Sequence, residues 1–196
     1  MREAAISMMY DQDLEDAISA LDHGGLILFP TDTIWGIGCD AYSAEAIQKM
    51  YEFKNRDASQ SFILLVDSIE MLKNYVKHLH PKLETLMVHH VRPLTVVYDR
   101  VKNLPKNAVD SNGNIAIRIA QDDYCRYLIR TLGRPIFTVA ASISDELLPN
   151  NFSEISKTIK KQVDYISKHR QNELTLNEPS VMVKLSPRGE LIFLRE

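Results

Sequence analysis

A short apolar run, Leu26-Ile27-Leu28-Phe29, empties into the polar segment Pro30-Thr31-Asp32-Thr33-Ile34-Trp35-Gly36-Ile37-Gly38. The run reads as a strand and the segment as the turn that leaves it. The turn carries hydroxyls, a carboxylate, an indole and two glycines, the residue chosen where a backbone turns sharply or approaches something closely. Downstream, Lys54-Asn55-Arg56 sets two cations one residue apart at the end of a predicted helix. Together the two segments predict a strand-end pocket that holds an anion and a small polar ligand.

The remaining pattern alternates between helical and strand periods. Leu14, Ala17, Ile18 and Leu21 recur at helical spacing, and Gly24-Gly25 supplies the stop. A helix over about 44–53, with Ser43 as its cap, puts Ile47, Met50 and Tyr51 on one face. The run 62–66 reads as a buried strand. Ser68 caps a helix expected to reach about His78, and Pro81 opens another reaching His90. Strands are expected at 94–98, 115–119 and 136–139, with Asn112-Gly113 as a turn and a helix over 122–132 closed by Gly133. A helix over about 153–161 and a hairpin, 181–185 with 191–194, complete the pattern. Such alternation predicts an α/β domain on a mixed sheet. The polar stretches 145–153 and 168–179 predict the mobile loops.

With 196 residues, the chain is long enough to bury a substantial core in one domain. Its two cysteines suit neither a disulfide framework nor a metal site, so reduced thiols are expected. The start lacks the pattern of a signal peptide, and no run approaches the ~20 apolar residues of a membrane helix. A soluble, cytoplasmic protein with no membrane partner follows as the expectation. The net charge of -3 hides an asymmetry: residues 53–134 carry 13 Lys and Arg against 8 Asp and Glu. A basic middle lines an anion cleft or supplies solvated helix faces, and composition does not choose between them.

The motifs together resemble the YrdC-like family, whose best-known members make threonylcarbamoyl-adenylate for tRNA modification. Pro30–Gly38 matches the family's opening motif, and Lys54 with Arg56 matches its Lys-x-Arg. Pro93-Leu94-Thr95 and Ile115-Ala116-Ile117-Arg118-Ile119 match later segments, and Pro179-Ser180 and Arg195 resemble the closing ones. The resemblance implies a single YrdC-like domain over 1–196, a twisted mixed sheet flanked by helices with a concave basic cleft. The extra C-terminal domain of longer relatives is expected to be absent. The chain departs from the pattern where Ser-x-Asn is usual: it reads Ala140-Ala141-Ser142. Asp57, Asp145 and His90-Val91-Arg92 are further departures.

The implied function is that of an L-threonylcarbamoyladenylate synthase, a nucleotidyltransferase using L-threonine, bicarbonate and ATP, with Mg2+ accompanying ATP. By the same resemblance Lys54 and Arg56 are catalytic and nucleotide-binding, and Thr33 and Arg118 bind threonine. Thr95, Ser142, Ser180 and Arg195 contact the nucleotide. RNA or tRNA and other tRNA-modification proteins complete the implied partners. The replaced Ser-x-Asn keeps a second reading open, a weakly active or non-catalytic module binding nucleotide or double-stranded RNA. Taken without the motif, Lys54 and Arg56 also suit exposed helix-end cations, and Arg118 a solvated sheet face. Asp32 is expected to fix its turn through its own backbone, and Trp35 to form a packed wall. His78-x-His80 and His89-His90 lack the spacing of a zinc site and read as helix-end residues, so no metal ligands are assigned. P-loop, Rossmann and Gly-x-Ser-x-Gly fingerprints are missing from the sequence.

Overall fold

The computed structural model describes residues 2–54, 62–142, 148–174 and 178–196, with side chains from residue 11 onward. Helix α1 (Arg2–Asp22) buries Leu14, Ala17 and Leu21 along one stripe, and Gly24 takes the left-handed φ of 71° that ends it. Strands β1 (Ile27–Phe29) and β2 (Gly36–Asp40) pair antiparallel across the motif loop. Helix α2 (Ala44–Lys54) follows, capped by the Ser43 hydroxyl, which accepts from the Ala46 amide at 3.1 Å. Then come β3 (Ile63–Val66), α3 (Ile69–Lys73), α4 (Pro81–His89) and β4 (Leu94–Tyr98). The second half holds β5 (Ile115–Ile119), α5 (Asp123–Leu132), β6 (Ile136–Ala140), α6 (Lys157–Gln162), β7 (Tyr165–Ile166), β8 (Val181–Leu185) and β9 (Leu191–Arg195).

These strands join one mixed sheet in the order β7-β1-β2-β6-β3-β5-β4-β8-β9. One face packs under α2 and α4, with Ile47, Met50, Leu64, Leu83, Val96 and Ile117 in its core. On the other face α1 and α5 cover Ile27, Phe29, Leu65 and Ile136. Register then carries that second face outward: Leu65 pairs with Arg118, Arg118 with Thr95, Thr95 with Met182 and Met182 with Arg195. Residues in register share a face. The row therefore begins in the core and ends in a cleft.

Three sequence expectations change, and one strand is new. Gly36 and Gly38 lie in strand β2 with no positive φ, so close approach and not turning explains them. A Cβ on Gly38 would meet Phe29 Cε1 at 2.7 Å and Ile136 Cγ2 at 2.8 Å. Helix α3 stops at Lys73 instead of reaching His78. Beyond it the backbone pairs with the segment after β4: Lys77 donates to the Arg100 carbonyl and Lys102 to that of Tyr75. The helix expected over 153–161 is split into a 3-10 turn (Phe152–Glu154) and α6, because Ser156 caps a fresh start while Ile155 turns inward. Strand β7 follows too few residues to leave a periodic signal. Of the expected loops 145–153 and 168–179, residues 145–147 and 175–177 lie outside the described residues, as do the departures Asp57 and Asp145. Among the described residues no helix is long and apolar enough to cross a membrane. Both cysteines are buried and free, and burial pushes each thiol well up.

One buried carboxylate ties several elements together. Asp13, on α1 and 2% exposed, accepts from Tyr124 Oη of α5 at 3.2 Å and Tyr165 Oη of β7 at 2.6 Å. It also accepts from Ser167 Oγ at 2.7 Å and from the amides of Lys168 and His169 at 2.7 and 3.3 Å. Burial alone would raise its pKa, but these donors outweigh burial and hold it below the usual carboxylate value.

Two outcomes follow from this packing. Gly38→Ala should cost about 1–3 kcal/mol through overpacking against Phe29 and Ile136, read as a lower denaturant midpoint with unchanged slope. Asp13→Asn should cost about 2–4 kcal/mol at neutral pH, since several charge-assisted bonds weaken together. A lowered native pKa stabilises fully above the unfolded value and is lost as pH falls through the native one. The gap between wild type and variant should therefore close below about pH 4, which thermal melts across an acid series would measure.

Candidate active site

The cleft opens where β1 hands over to the motif loop and the transverse row leaves the core. Its volume is about 450 Å³, within the range of small-ligand pockets. Thr31, Thr33 and Trp35 come from the loop, Arg118 from β5, Ser180 from the residue before β8, and Arg195 from β9. Thr138 and Ala140 supply the floor from β6.

The loop is self-bonded in a way that fixes donor directions. Thr31 Oγ1 donates to the Ile34 carbonyl at 2.8 Å and accepts from the Thr33 amide at 3.0 Å. The Thr33 hydroxyl, 2.9 Å away, must then donate to Thr31. Arg118 Nη1 donates to Thr33 Oγ1 at 2.6 Å. That leaves Thr33 one lone pair, so the ligand group it can receive is a donor, such as an ammonium or hydroxyl. Asp32 does not fix its own turn as expected. It reaches across to β5, where Oδ2 accepts from the Gln121 amide at 3.0 Å and Oδ1 lies 3.3 Å from Arg118 Nη2. Arg118 is 3% exposed, which excludes the solvated sheet face, and its buried Nε has no hydrogen-bond partner among the described residues.

Opposite stands a second polar group. Thr95 Oγ1 and Ser180 Oγ are 2.7 Å apart. Arg195 Nε donates to the Ser180 carbonyl at 2.8 Å, and Nη2 to its hydroxyl at 3.1 Å. Partial burial and then the like charge of Arg118 pull the Arg195 pKa down. A guanidinium held close to a like charge favours an anion beside it. Thr95 is fully buried behind Ser180 and positions it, while Ser180 and Arg195 face the cleft.

Lys54 is not the exposed helix-end cation that composition allowed: it is buried at the end of α2. Its ammonium donates to the carbonyls of Ala140, at 3.3 Å, and Ser142, and lies 3.4 Å from Ser142 Oγ. The segment Ala140-Ala141-Ser142 therefore helps to seat Lys54, and at 140 it does so through a backbone carbonyl, which any side chain there would leave in place. Arg56 lies outside the described residues. Trp35 is a packed wall, 6% exposed with its ring 4.9 Å from that of Phe152. Among the described residues no group of three acidic, histidine or cysteine side chains stands together as a metal site. His80 accepts from the Lys82 amide as the cap of α4. The sequence left Asp13, Thr31 and Arg170 unassigned. Only Thr31 had a signal, its place within the motif.

Comparison with known proteins bears on the fold and the family. A protein called threonylcarbamoyl-AMP synthase in Pseudoalteromonas translucida is 27% identical over 161 residues, covering 80% of this chain and 86% of that one. A namesake in Riesia pediculicola is 29% identical over 159 residues, covering 79% and 85%. Among solved structures, E. coli YciO superposes with a TM-score of 0.82 at 19% identity, covering 95% of this chain and 89% of that one. P. abyssi Sua5 in complex with L-threonine gives 0.79 at 23%, over 93% of this chain and 53% of that protein, so this chain spans about half of it. The two superpositions establish the fold. The Sua5/YciO/YrdC family model, described as telomere recombination, matches residues 19–196, and the chain belongs to that family.

Proposed function

We propose that the cleft binds L-threonine, bicarbonate and Mg2+-ATP and forms threonylcarbamoyl-AMP and pyrophosphate, a cytoplasmic step toward tRNA modification. The observation that carries this reading is Arg118: buried in the cleft wall, bonded to Thr33 and steadied by Asp32. A guanidinium so placed suits a substrate carboxylate, and the free lone pair of Thr33 suits the ammonium or hydroxyl of the same amino acid.

In this scheme threonine nitrogen adds to bicarbonate carbon with loss of water, giving an N-carboxylate. A carboxylate oxygen then attacks the α-phosphorus of ATP, and the bond to pyrophosphate breaks. Charge builds on the phosphoryl oxygens and the leaving group, where Lys54, Arg56, Ser180 and Arg195 supply cations and donors. Mg2+ would arrive on the phosphates and help neutralise them. A cleft walled by arginines fits that complex, with phosphates and water as the metal's ligands. The backbone seat of Lys54 favours the enzyme over the binding module, because the replaced side chain at 140 is not what holds the lysine.

Lys54→Ala should lower pyrophosphate release roughly a hundredfold or more, the cost of a charge aimed at the transition state, in a coupled assay with threonine, bicarbonate and Mg2+-ATP. No release from wild type above this variant would overturn the reading. RNA or nucleotide binding that weakens steeply with salt, without release, would then favour the binding module. Restoring the family pair by Ala140→Ser with Ser142→Asn should raise the rate roughly tenfold, since a donor returns to the cleft wall. The same assay reads it.

A further inference from the structure

The Asp13 carboxylate holds more than the helices it joins. Three of its five donors, Ser167 Oγ and the amides of Lys168 and His169, belong to the segment leaving β7. The His169 ring stacks on that of Tyr124, 4.8 Å away at 10°. Gln171 Nε2 turns back to the Ser167 carbonyl at 2.6 Å, and the Glu173 amide donates to the Arg170 carbonyl at 3.2 Å. Residues 167–173 thus form a strap anchored on Asp13.

The tip of the strap is Arg170. Its backbone has a φ of 59°, left-handed and costly for a residue with a Cβ. Glycine would meet that backbone without strain, so the side chain must justify the position. Arg170 Nη1 donates to the carbonyl of Thr31 at 3.2 Å and to Asp122 Oδ2 at 3.0 Å, and Nε donates to Glu173 at 2.6 Å. Arg170 and Glu173 line one narrow crevice, of about 10 Å³, with Thr31, Thr33 and Trp35. A continuous chain results, from Asp13 through the strap to Arg170, then to the Thr31 carbonyl, the paired hydroxyls of Thr31 and Thr33, and Arg118.

We propose that the Asp13-anchored strap is the positioning element of the amino-acid subsite, with Arg170 setting the place of Thr33 and, through it, of Arg118. Arg170 lies behind the loop and acts through Thr31. It is a positioning residue, and the claim about threonine rests on the function proposed above. Half a bond length of drift at Thr33 would misplace the acceptor for the substrate donor while leaving the Ser180–Arg195 side untouched. Selectivity between the two ligands is the signature.

The test compares wild type, Arg170→Gly and Arg170→Lys by calorimetric titration with threonine and with Mg2+-ATP, alongside thermal melts and amide hydrogen exchange. Arg170→Gly relieves the backbone, so its melting temperature should hold while threonine affinity falls about tenfold or more and that for ATP stays within about twofold. Arg170→Lys keeps a charge without the fork and should recover only part of the loss. The Thr33 amide, bonded to Thr31 Oγ1, should exchange faster in Arg170→Gly. Unchanged threonine affinity, or parallel loss of both ligands, would overturn the proposal. If wild type binds no threonine, the proposed function fails, and exchange alone decides the strap: faster exchange at Thr33 supports it, and unchanged exchange overturns it.

Discussion

A guanidinium buried in the middle of a β-sheet dictates much of what surrounds it. Arg118 sits on β5 with 3% of its surface exposed, and leaving such a charge uncompensated costs several kcal/mol, on the order of a whole domain's net stability. The chain answers with Asp32 at 3.3 Å and Thr33 at 2.6 Å, both from the loop after β1. That loop lies across the sheet from β5, with β2, β6 and β3 between them in the strand order. Two strand ends distant in sequence are thereby held together, and the cleft is the space their union leaves.

The same sheet geometry explains why the rest of the site faces one way. In-register pairing sets Leu65, Arg118, Thr95, Met182 and Arg195 in one row. The row is covered by helices at its inner end and open at its outer one. Lys54 arrives from a different direction, at the end of α2, and rests on backbone carbonyls of the segment leaving β6. Those carbonyls are present whatever side chain stands at 140.

Much of this was legible in the residues. Strands 94–98 and 115–119 and the caps Ser43, Ser68 and Gly133 follow from patterns a few residues long, which sequence carries directly. The loop and the lysine of the site were likewise marked by dense polar chemistry beside apolar runs. What escaped reading depends on partners far away. Strand β2 looked like a turn because its glycines serve Phe29 and Ile136 across the sheet, not local φ values. Helix α3 ended early because Tyr75, Val76 and Lys77 pair with residues 100–102. Asp32 looked local and is not.

Sequence by itself thus determined most of the element types, the family and the candidate residues Thr33, Lys54, Arg118, Ser180 and Arg195, because periodicity, capping and motif spacing are short-range properties. Only the tertiary structure decided which of them meet. It joined Thr33 to Arg118 and Ser180 to Arg195, seated Lys54 on the segment leaving β6, and enlisted Asp13 and Arg170 behind the loop. Hydrogen bonds between residues 85 apart, as in Arg118 to Thr33, or 139 apart, as in Arg170 to Thr31, leave no periodic trace. They exist because burial makes unsatisfied polar groups costly, and folding alone brings their partners within reach.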